Sequence, residues 1–310
     1  MILGGDLGGT KTLLALAERQ GGGLRIVRQQ RYASADYPSF DDLLADFLVG
    51  APLIASACFG LAGPTDGRTA QLTYLPWRLS GSALRRRFGI GRLVLTNDFA
   101  ATAHGLALVD PAQIITLHPG QPVVHAPRVI VGAGTGLGVA GLVWAGKRYR
   151  VIPGEGGHLG FSPQTLEQGE LWRWLLDMKG RVTTEDVVSG AGLARIYAFL
   201  GGQPLTPAAI GQAALAATDP LAGQALRLWL SCYGAFAGDL ALHWLARGGV
   251  YLAGGIAAKL MPRGDIGPFV AAFLAKREHG PLVANMPVHL VVDENIALLG
   301  ALAVAGVARR

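Results

Sequence analysis

The chain has 310 residues, of which 51% are hydrophobic and 15% charged. That composition excludes intrinsic disorder and supplies a substantial core, in two domains or one large α/β unit. The 27 basic and 21 acidic residues give a net charge of +6, but the basic ones are scattered and Arg85-Arg86-Arg87 is the one triple. Without a basic stripe, a nucleic-acid partner is not expected.

In chain order, Ile2 to Ala17 reads as strand, tight glycine turn and strand, with a third strand near Leu24 to Tyr32. Ser39 caps an amphipathic helix through Asp41, Leu43, Leu44, Phe47 and Leu48. Leu53 to Phe59 is expected to be a buried strand. Leu93-Val94-Leu95 is another, ending at Thr96-Asn97-Asp98, where a helix starts. Asp110 to Pro127 carries four prolines and no helical period, which marks a connection between lobes. Val129 to Val143 then repeats the opening pattern. At an offset of 126 residues, Asp6, Gly8 and Leu16 fall on Gly132, Gly134 and Leu142. That spacing is far too long for a solenoid and suggests a duplicated fold. The second half reads as helical over Leu166 to Met178, Gly192 to Leu200, Pro207 to Ala217 and Leu221 to Arg247. A strand at Val250-Tyr251-Leu252 meets Ala253-Gly254-Gly255-Ile256, and a small-residue helix from Ile296 to Val307 closes the chain.

Cys58 and Cys232 are the only cysteines, and no CxxC pair exists, so neither a zinc site nor a disulfide framework is legible and a reducing compartment is expected. Asp6 and Lys11 interrupt any signal-type apolar block. The longest charge-free stretch, Ile196 to Thr218, contains Pro204 and Pro207, which argues against a membrane span. A cytoplasmic protein is expected.

Asp6-Leu7-Gly8-Gly9-Thr10-Lys11 is either a plain glycine hairpin or an anion nest whose backbone N–H groups point inward, with Thr10 and Lys11 as further donors. Asp6, ending a strand beside that turn, suits Mg²⁺, usually through water. The echo at Gly132, Gly134, Thr135 and Gly136 favours the nest, because two such turns can grip the phosphates of one nucleotide. Asp98 is either a helix N-cap or a general base for an attacking hydroxyl, with Asn97 orienting the same group. Glu155 and His158, in Pro153 to Gly160, are either surface-turn residues or a carboxylate and imidazole for the vicinal hydroxyls of a polyol. Glu185, one of seven glutamates, serves as a cap for the helix at Asp186 through Thr183 or Thr184, or joins that polar set. Gly254-Gly255 is an ordinary βα turn or a bed for an adenine ring.

Together these motifs resemble the bacterial glucokinase family, within the sugar-kinase, actin and heat-shock-chaperone superfamily, and the resemblance covers nearly the whole chain. Asp6 to Lys11 looks like the first phosphate loop, Thr96 to Ala101 the catalytic-aspartate segment, and Gly132 to Gly138 the second phosphate loop. Gly154 to His158 is similar to the sugar-binding glutamate–histidine motif and Ala253 to Ile256 to the adenosine motif. The resemblance implies a two-lobe, ribonuclease H-like duplicated α/β fold with a cleft between lobes. The expected lobes are residues 1–109 plus 296–310 and residues 110–295, closing on the sugar. It implies ATP- and Mg²⁺-dependent phosphorylation of glucose on its 6-hydroxyl, contacts to the hexose from Asn97, Asp98, Glu155, His158 and Glu185 with Asp98 as base, and a homodimer. The absence of cysteine between Cys58 and Cys232 departs from the zinc motif of the related repressor and kinase family and favours the glucokinase branch. Tyr74 stands where many glucokinases have Asn, which leaves mannose, fructose or an amino sugar open as substrate. Polyphosphate remains an alternative donor. A sugar-responsive regulator of the same fold needs a helix-turn-helix, for which a first strand at Ile2 leaves no room. An actin-like polymer former would not need the sugar-contact residues.

Overall fold

The computed structural model describes residues 1–21, 23–63, 65–72 and 75–307; Tyr74 lies outside them. The chain forms two compact units. One comprises Met1–Asp110 and the chain from Asp293 onward, the other Pro111–Val292.

The first unit opens with β1 (Ile2–Leu7), β2 (Lys11–Gln20) and β3 (Gly23–Ala33), followed by α1 (Phe40–Phe47) and β4 (Ser56–Leu61). A small ladder, β5 (Thr69–Gln71) with β6 (Arg78–Ser80), precedes α2 (Gly81–Phe88), β7 (Arg92–Asn97) and α3 (Asp98–Gly105). Its sheet runs β3-β2-β1-β4-β7, antiparallel through β1–β3 and parallel from β1 to β7. The central strands β1, β2 and β4 are buried on both faces and read as continuous apolar runs. On one face Leu3, Leu14, Leu16 and Phe59 meet Phe40, Leu43, Leu44 and Phe47, the i, i+3, i+4, i+7 stripe of α1. Ser39 caps that helix by accepting the Asp42 N–H.

The second unit holds β8 (Ile114–His118), β9 (Arg128–Ala133), β10 (Leu137–Trp144), β11 (Tyr149–Gly154), α4 (Leu166–Lys179), α5 (Thr184–Val187), α6 (Gly190–Phe199), α7 (Pro207–Leu215) and α8 (Pro220–Trp244). β12 (Val250–Ala253), α9 (Gly255–Leu260), α10 (Gly267–Leu274), α11 (Gly280–Ala284) and β13 (Val288–Val291) complete it. The sheet runs β11-β10-β9-β12-β13-β8. Its first five strands repeat the first unit's order and directions, three antiparallel and then two parallel. The duplication expected from the glycine turns is therefore present as two sheets of the same wiring. Its core gathers around α8, whose Trp229 and Tyr233 are buried, with the Tyr233 hydroxyl donating to the Val131 carbonyl at 3.1 Å.

The C-terminal α12 (Ile296–Gly306) returns to the first unit and covers its other face with Leu298, Ala301 and Leu302. Its small residues allow close packing. A Cβ on Gly300 would lie 1.7 Å from the Ala101 carbonyl oxygen, and one on Gly105 would lie 2.1 Å from that of Ile296, so α3 and α12 touch backbone to backbone.

Several expectations need correction. The strand expected at Leu53 begins at Ser56; Leu53 is 88% exposed, and its carbonyl accepts from the N-terminal ammonium. Asp110 to Pro127 is not all connection, because Ile114–His118 pairs with β13 as an edge strand, where prolines on either side are tolerated. The expected second boundary at 295/296 falls beside Val292 instead, since Glu294 pairs with Arg31 at 3.9 Å and Asn295 accepts from Gln29 at 3.3 Å. The 126-residue offset holds only for the first strand of each hairpin. Leu7 pairs with Thr12 but Ala133 with Leu137, so the second turn is one residue shorter, and Leu13, not Thr12, corresponds to Gly138.

Because the obstacle at Gly300 is helix backbone, Gly300→Ala is expected to destabilise the protein by about 1–3 kcal/mol or more. A urea midpoint lowered at unchanged slope is the expected reading; an unchanged midpoint would show that the two helices can part freely.

Candidate active site

In the first unit the β1–β2 turn is held by a residue that sequence reasoning missed. Ser34, fully buried beside Thr12, donates its N–H to the Thr10 carbonyl at 3.1 Å and its hydroxyl to the Gly8 carbonyl at 2.8 Å. Its Oγ also lies 2.9 Å from Thr12 Oγ1. Gly8 closes the turn by donating to the Lys11 carbonyl at 3.0 Å. With the Gly8, Thr10 and Lys11 carbonyls occupied, the N–H groups of Gly9 and Thr10 carry no partner among the described residues. That is the arrangement of an anion nest, though with donors fewer than the full glycine run. No sequence signal marks Ser34, because it acts only through the tertiary placement of the end of β3.

Asp6 lies on the rung Asp6–Gly60–Thr96, one step before the strand ends, and Leu7–Leu61–Asn97 forms the next rung. Asp6, the glycine turn and Asn97-Asp98 therefore share one end of the sheet, the C-terminal end of its parallel strands, where α/β folds bind ligands. No hydrogen bond among the described residues reaches the Asp6 carboxylate. Crowding by protein raises its pKa to about 6, with Lys11 pulling the other way. An unsatisfied carboxylate of this kind suits a hard cation that keeps most of its own water.

Asn97, not Asp98, is the helix cap: its Oδ1 accepts from Phe99 and Ala100 N–H at 2.8 and 3.0 Å. Asp98 is the first helical residue, and its Oδ1 also accepts from Phe99 N–H at 2.8 Å. Gly60 lets α3 lie close on the sheet, for a Cβ there would come within 2.9 Å of the Ala101 Cβ. The capping role expected as the alternative for Asp98 is thus filled by its neighbour.

In the second unit Gly134 N–H donates to the Gly136 carbonyl at 2.8 Å, and Gly190, opening α6, donates to the Gly134 carbonyl at 2.9 Å. Thr135 and Gly136 are left with N–H groups that have no partner among the described residues, a pair matching Gly9 and Thr10. Gly132 is not part of the turn. It sits inside β9, paired with Gly138 on one side and Ala253 on the other. Gly254 adopts φ 94° and lies so close to β9 that a Cβ would fall 2.3 Å from the Ala133 carbonyl oxygen. Gly254 and exposed Gly255 therefore border the same turn.

Glu155 and His158 bracket a short 3₁₀ turn rather than a loose loop. A Cβ on Gly157 would lie 2.0 Å from the Leu137 carbonyl oxygen, and one on Gly156 would lie 2.7 Å from Val139 Cγ2. The turn is thus pressed onto the start of β10 with both side chains exposed. Arg181 donates to the His158 carbonyl at 3.1 Å and Thr184 N–H to that of Leu159 at 2.8 Å. Glu185 does not cap α5; Thr183 and Asp186 form that capping box. Its Oε2 instead accepts the Leu137 N–H at 2.8 Å, which brings it to the glycine turn. Behind the 3₁₀ turn lies a cavity of about 360 Å³ walled by Leu159, Phe161, Phe236, Leu240 and Trp244. Among the described residues no group of three or more His, Cys, Asp or Glu is placed to hold a metal, and no helix is long and apolar enough to cross a membrane.

The glucokinase family model matches residues 3–307. The chain belongs to the glucokinase family. It is 38% identical to a glucokinase of Nostoc sp. strain PCC 7120, with 97% of each chain covered, and 36% identical to one of Mesorhizobium japonicum, covering 98% of this chain and 91% of that one. Among solved structures, a glucokinase from an Antarctic psychrotroph superimposes with a TM-score of 0.88 at 30% identity, covering 98% of both chains. A ROK family glucokinase from Streptomyces griseus, in complex with glucose and AMPPNP, has a TM-score of 0.68 at 22% identity over 98% of both chains and shares the fold. The two-sheet α/β architecture is thus that of the glucokinase fold.

The Asp6 carboxyl binds its proton more tightly in the folded chain than at its ordinary value of 3.8. The folded state accordingly loses stability as pH rises toward about 6 and stays at that cost above it. Asp6→Asn should stabilise the ligand-free protein at pH 8 by up to about 3 kcal/mol, less where solvent screens the carboxylate. By pH 4 most of that gain should be gone. Melting temperatures of both proteins at the two pH values check this; an equal gain at both would refute it.

Proposed function

We propose that the chain performs its family's reaction, transfer of the γ-phosphoryl group of ATP to the 6-hydroxyl of glucose, the entry step of glycolysis, with the residues identified above in the following roles. The observation that carries the assignment is the matched pair of N–H couples, Gly9–Thr10 and Thr135–Gly136, each without a partner among the described residues. Both suit phosphate oxygens, and Thr10, Lys11 and Thr135 add side-chain donors. Gly254 and Gly255 offer bare backbone beside the second turn for the adenosine. Mg²⁺ would be held by Asp6 through water and would supply neutralisation of phosphate charge.

Asp98 accepts the proton of the attacking hydroxyl. Its place at a helix start, capped by Asn97, keeps the carboxylate oriented while the Asn97 amide nitrogen remains a donor for the sugar. Glu155, His158 and Glu185 take ring hydroxyls. Phosphoryl transfer asks of the protein chiefly positioning and charge stabilisation, so one base and fixed donors suffice. Cys58 and Cys232 are free and buried, with burial pushing the Cys58 thiol up to about 12, which supports a cytoplasmic setting. A homodimer, implied by the family resemblance, belongs to the same reading and is checked by light scattering.

Asp98→Asn should leave glucose binding largely intact while kcat falls by at least about 10²-fold, the scale of lost general-base catalysis. Near-normal kcat in the folded variant would remove Asp98 from the mechanism. Glu155→Gln and His158→Ala should each raise the KM for glucose several-fold and leave that for ATP almost unchanged, because a sugar hydroxyl loses its partner while the phosphate donors stay. Titration calorimetry with glucose and a non-hydrolysable ATP analogue separates the two affinities.

A further inference from the structure

Glu185 occupies a position that its expected role as a sugar contact does not explain. Its Oε2 accepts the Leu137 N–H at 2.8 Å, directly after the glycine turn. The carboxylate stands where a side chain on Gly136 would have to be: a Cβ there would lie 2.6 Å from Oε2. The helix that carries Glu185 does not need this carboxylate, since Thr183 and Asp186 cap it and Lys179 and Arg195 lie 3.3 and 3.6 Å from Asp186.

The same short segment also grips the 3₁₀ turn of Glu155 and His158. Arg181 donates to the His158 carbonyl at 3.1 Å, Thr184 donates N–H and hydroxyl to that of Leu159 at 2.8 and 3.3 Å, and Thr183 bridges to Gly160. Residues 181–185 thus bind the polyol turn at one end and the glycine turn at the other, all within one unit. A carboxylate has two oxygens, and one hydrogen bond to Oε2 leaves Oε1 able to accept from a sugar hydroxyl.

We propose that Glu185 is a positioning residue that couples the two substrates, Oε2 fixing the Gly136–Leu137 peptide in the form that frees the Thr135 and Gly136 N–H groups while Oε1 accepts a glucose hydroxyl. This rests on the glucokinase reading. Glucose orders the carboxylate, the ordered carboxylate holds the phosphate turn, and the coupling acts equally in both directions.

The test is calorimetric titration of the whole protein with glucose and with AMPPNP plus Mg²⁺, each alone and in the presence of the other. In the unaltered protein each ligand should tighten the other by the same factor, about fivefold or more. Glu185→Ala should weaken both ligands and bring that factor to one. Gly136→Ala provides the second variant. Its methyl displaces only the end of a flexible side chain, the Glu185 carboxylate, so the protein should fold, bind glucose and AMPPNP each more weakly and lose the coupling. Independent binding in the unaltered protein would overturn the proposal. So would a Glu185→Ala variant weakened toward glucose alone with coupling kept, which would make Glu185 a plain sugar contact. Failure of the unaltered protein to phosphorylate glucose would instead strike the underlying reading.

Discussion

Backbone packed directly on backbone, with no side chain between, is the constraint on which both halves of this protein depend. In the first unit Gly105 and Gly300 bring the backbone of α3 against that of α12. In the other unit Gly157 presses the 3₁₀ turn of Glu155 and His158 onto β10, while Gly254 presses the start of α9 onto β9. Of these four, only Gly254 has a positive φ, so space rather than unusual backbone conformation accounts for most of them. Glycine at these positions therefore builds rigidity into the packing of each unit. Donors that are already fixed before the substrate arrives cost nothing to reorganise during reaction.

The duplicated sheets share their wiring but not the chemistry that holds their turns. In the first unit a neutral residue, Ser34, satisfies two carbonyls and leaves the N–H pair exposed. In the second, Gly190 N–H takes one carbonyl and the Glu185 carboxylate takes the N–H that follows the turn. Under the proposed function this carboxylate would stand next to a phosphate site, which is unfavourable unless it performs a second task. Charge is also placed at a cost in Asp6, whose proton affinity is raised by the surrounding protein. Sites of this kind trade ligand-free stability for ligand binding.

Most residues of the candidate site were singled out in the sequence, because motif order and residue type carry the resemblance. The glycine turns, the Asn97-Asp98 step at a strand end, and Glu155 with His158 all lie where local patterning put them. The strands β1, β2, β7, β9 and β12 and the helices α1, α4, α7 and α8 follow from apolar runs, periodicity and caps such as Ser39 and Pro207. The edge strands β8 and β11 did not stand out. Their half-exposed residues lack a sustained apolar run, and pairing with a remote strand supplies what local propensity does not.

Sequence alone determined the family, the two-fold repeat and the identity of the polar groups, since each is a matter of residue type at a given spacing. Tertiary structure decided which of those groups are already occupied. Asn97 rather than Asp98 caps α3, Gly132 belongs to a ladder rather than a turn, and Glu185 reaches the Leu137 N–H instead of capping its own helix. It also brought in Ser34, Arg181 and Gly190, residues with no motif of their own. The physical reason is common to all of them: a hydrogen bond joins whichever donor and acceptor the packed backbone brings within about 3 Å. For Ser34 with Gly8, Arg181 with His158 and Glu185 with Leu137, that proximity spans 23 or more residues of chain, which no local pattern encodes.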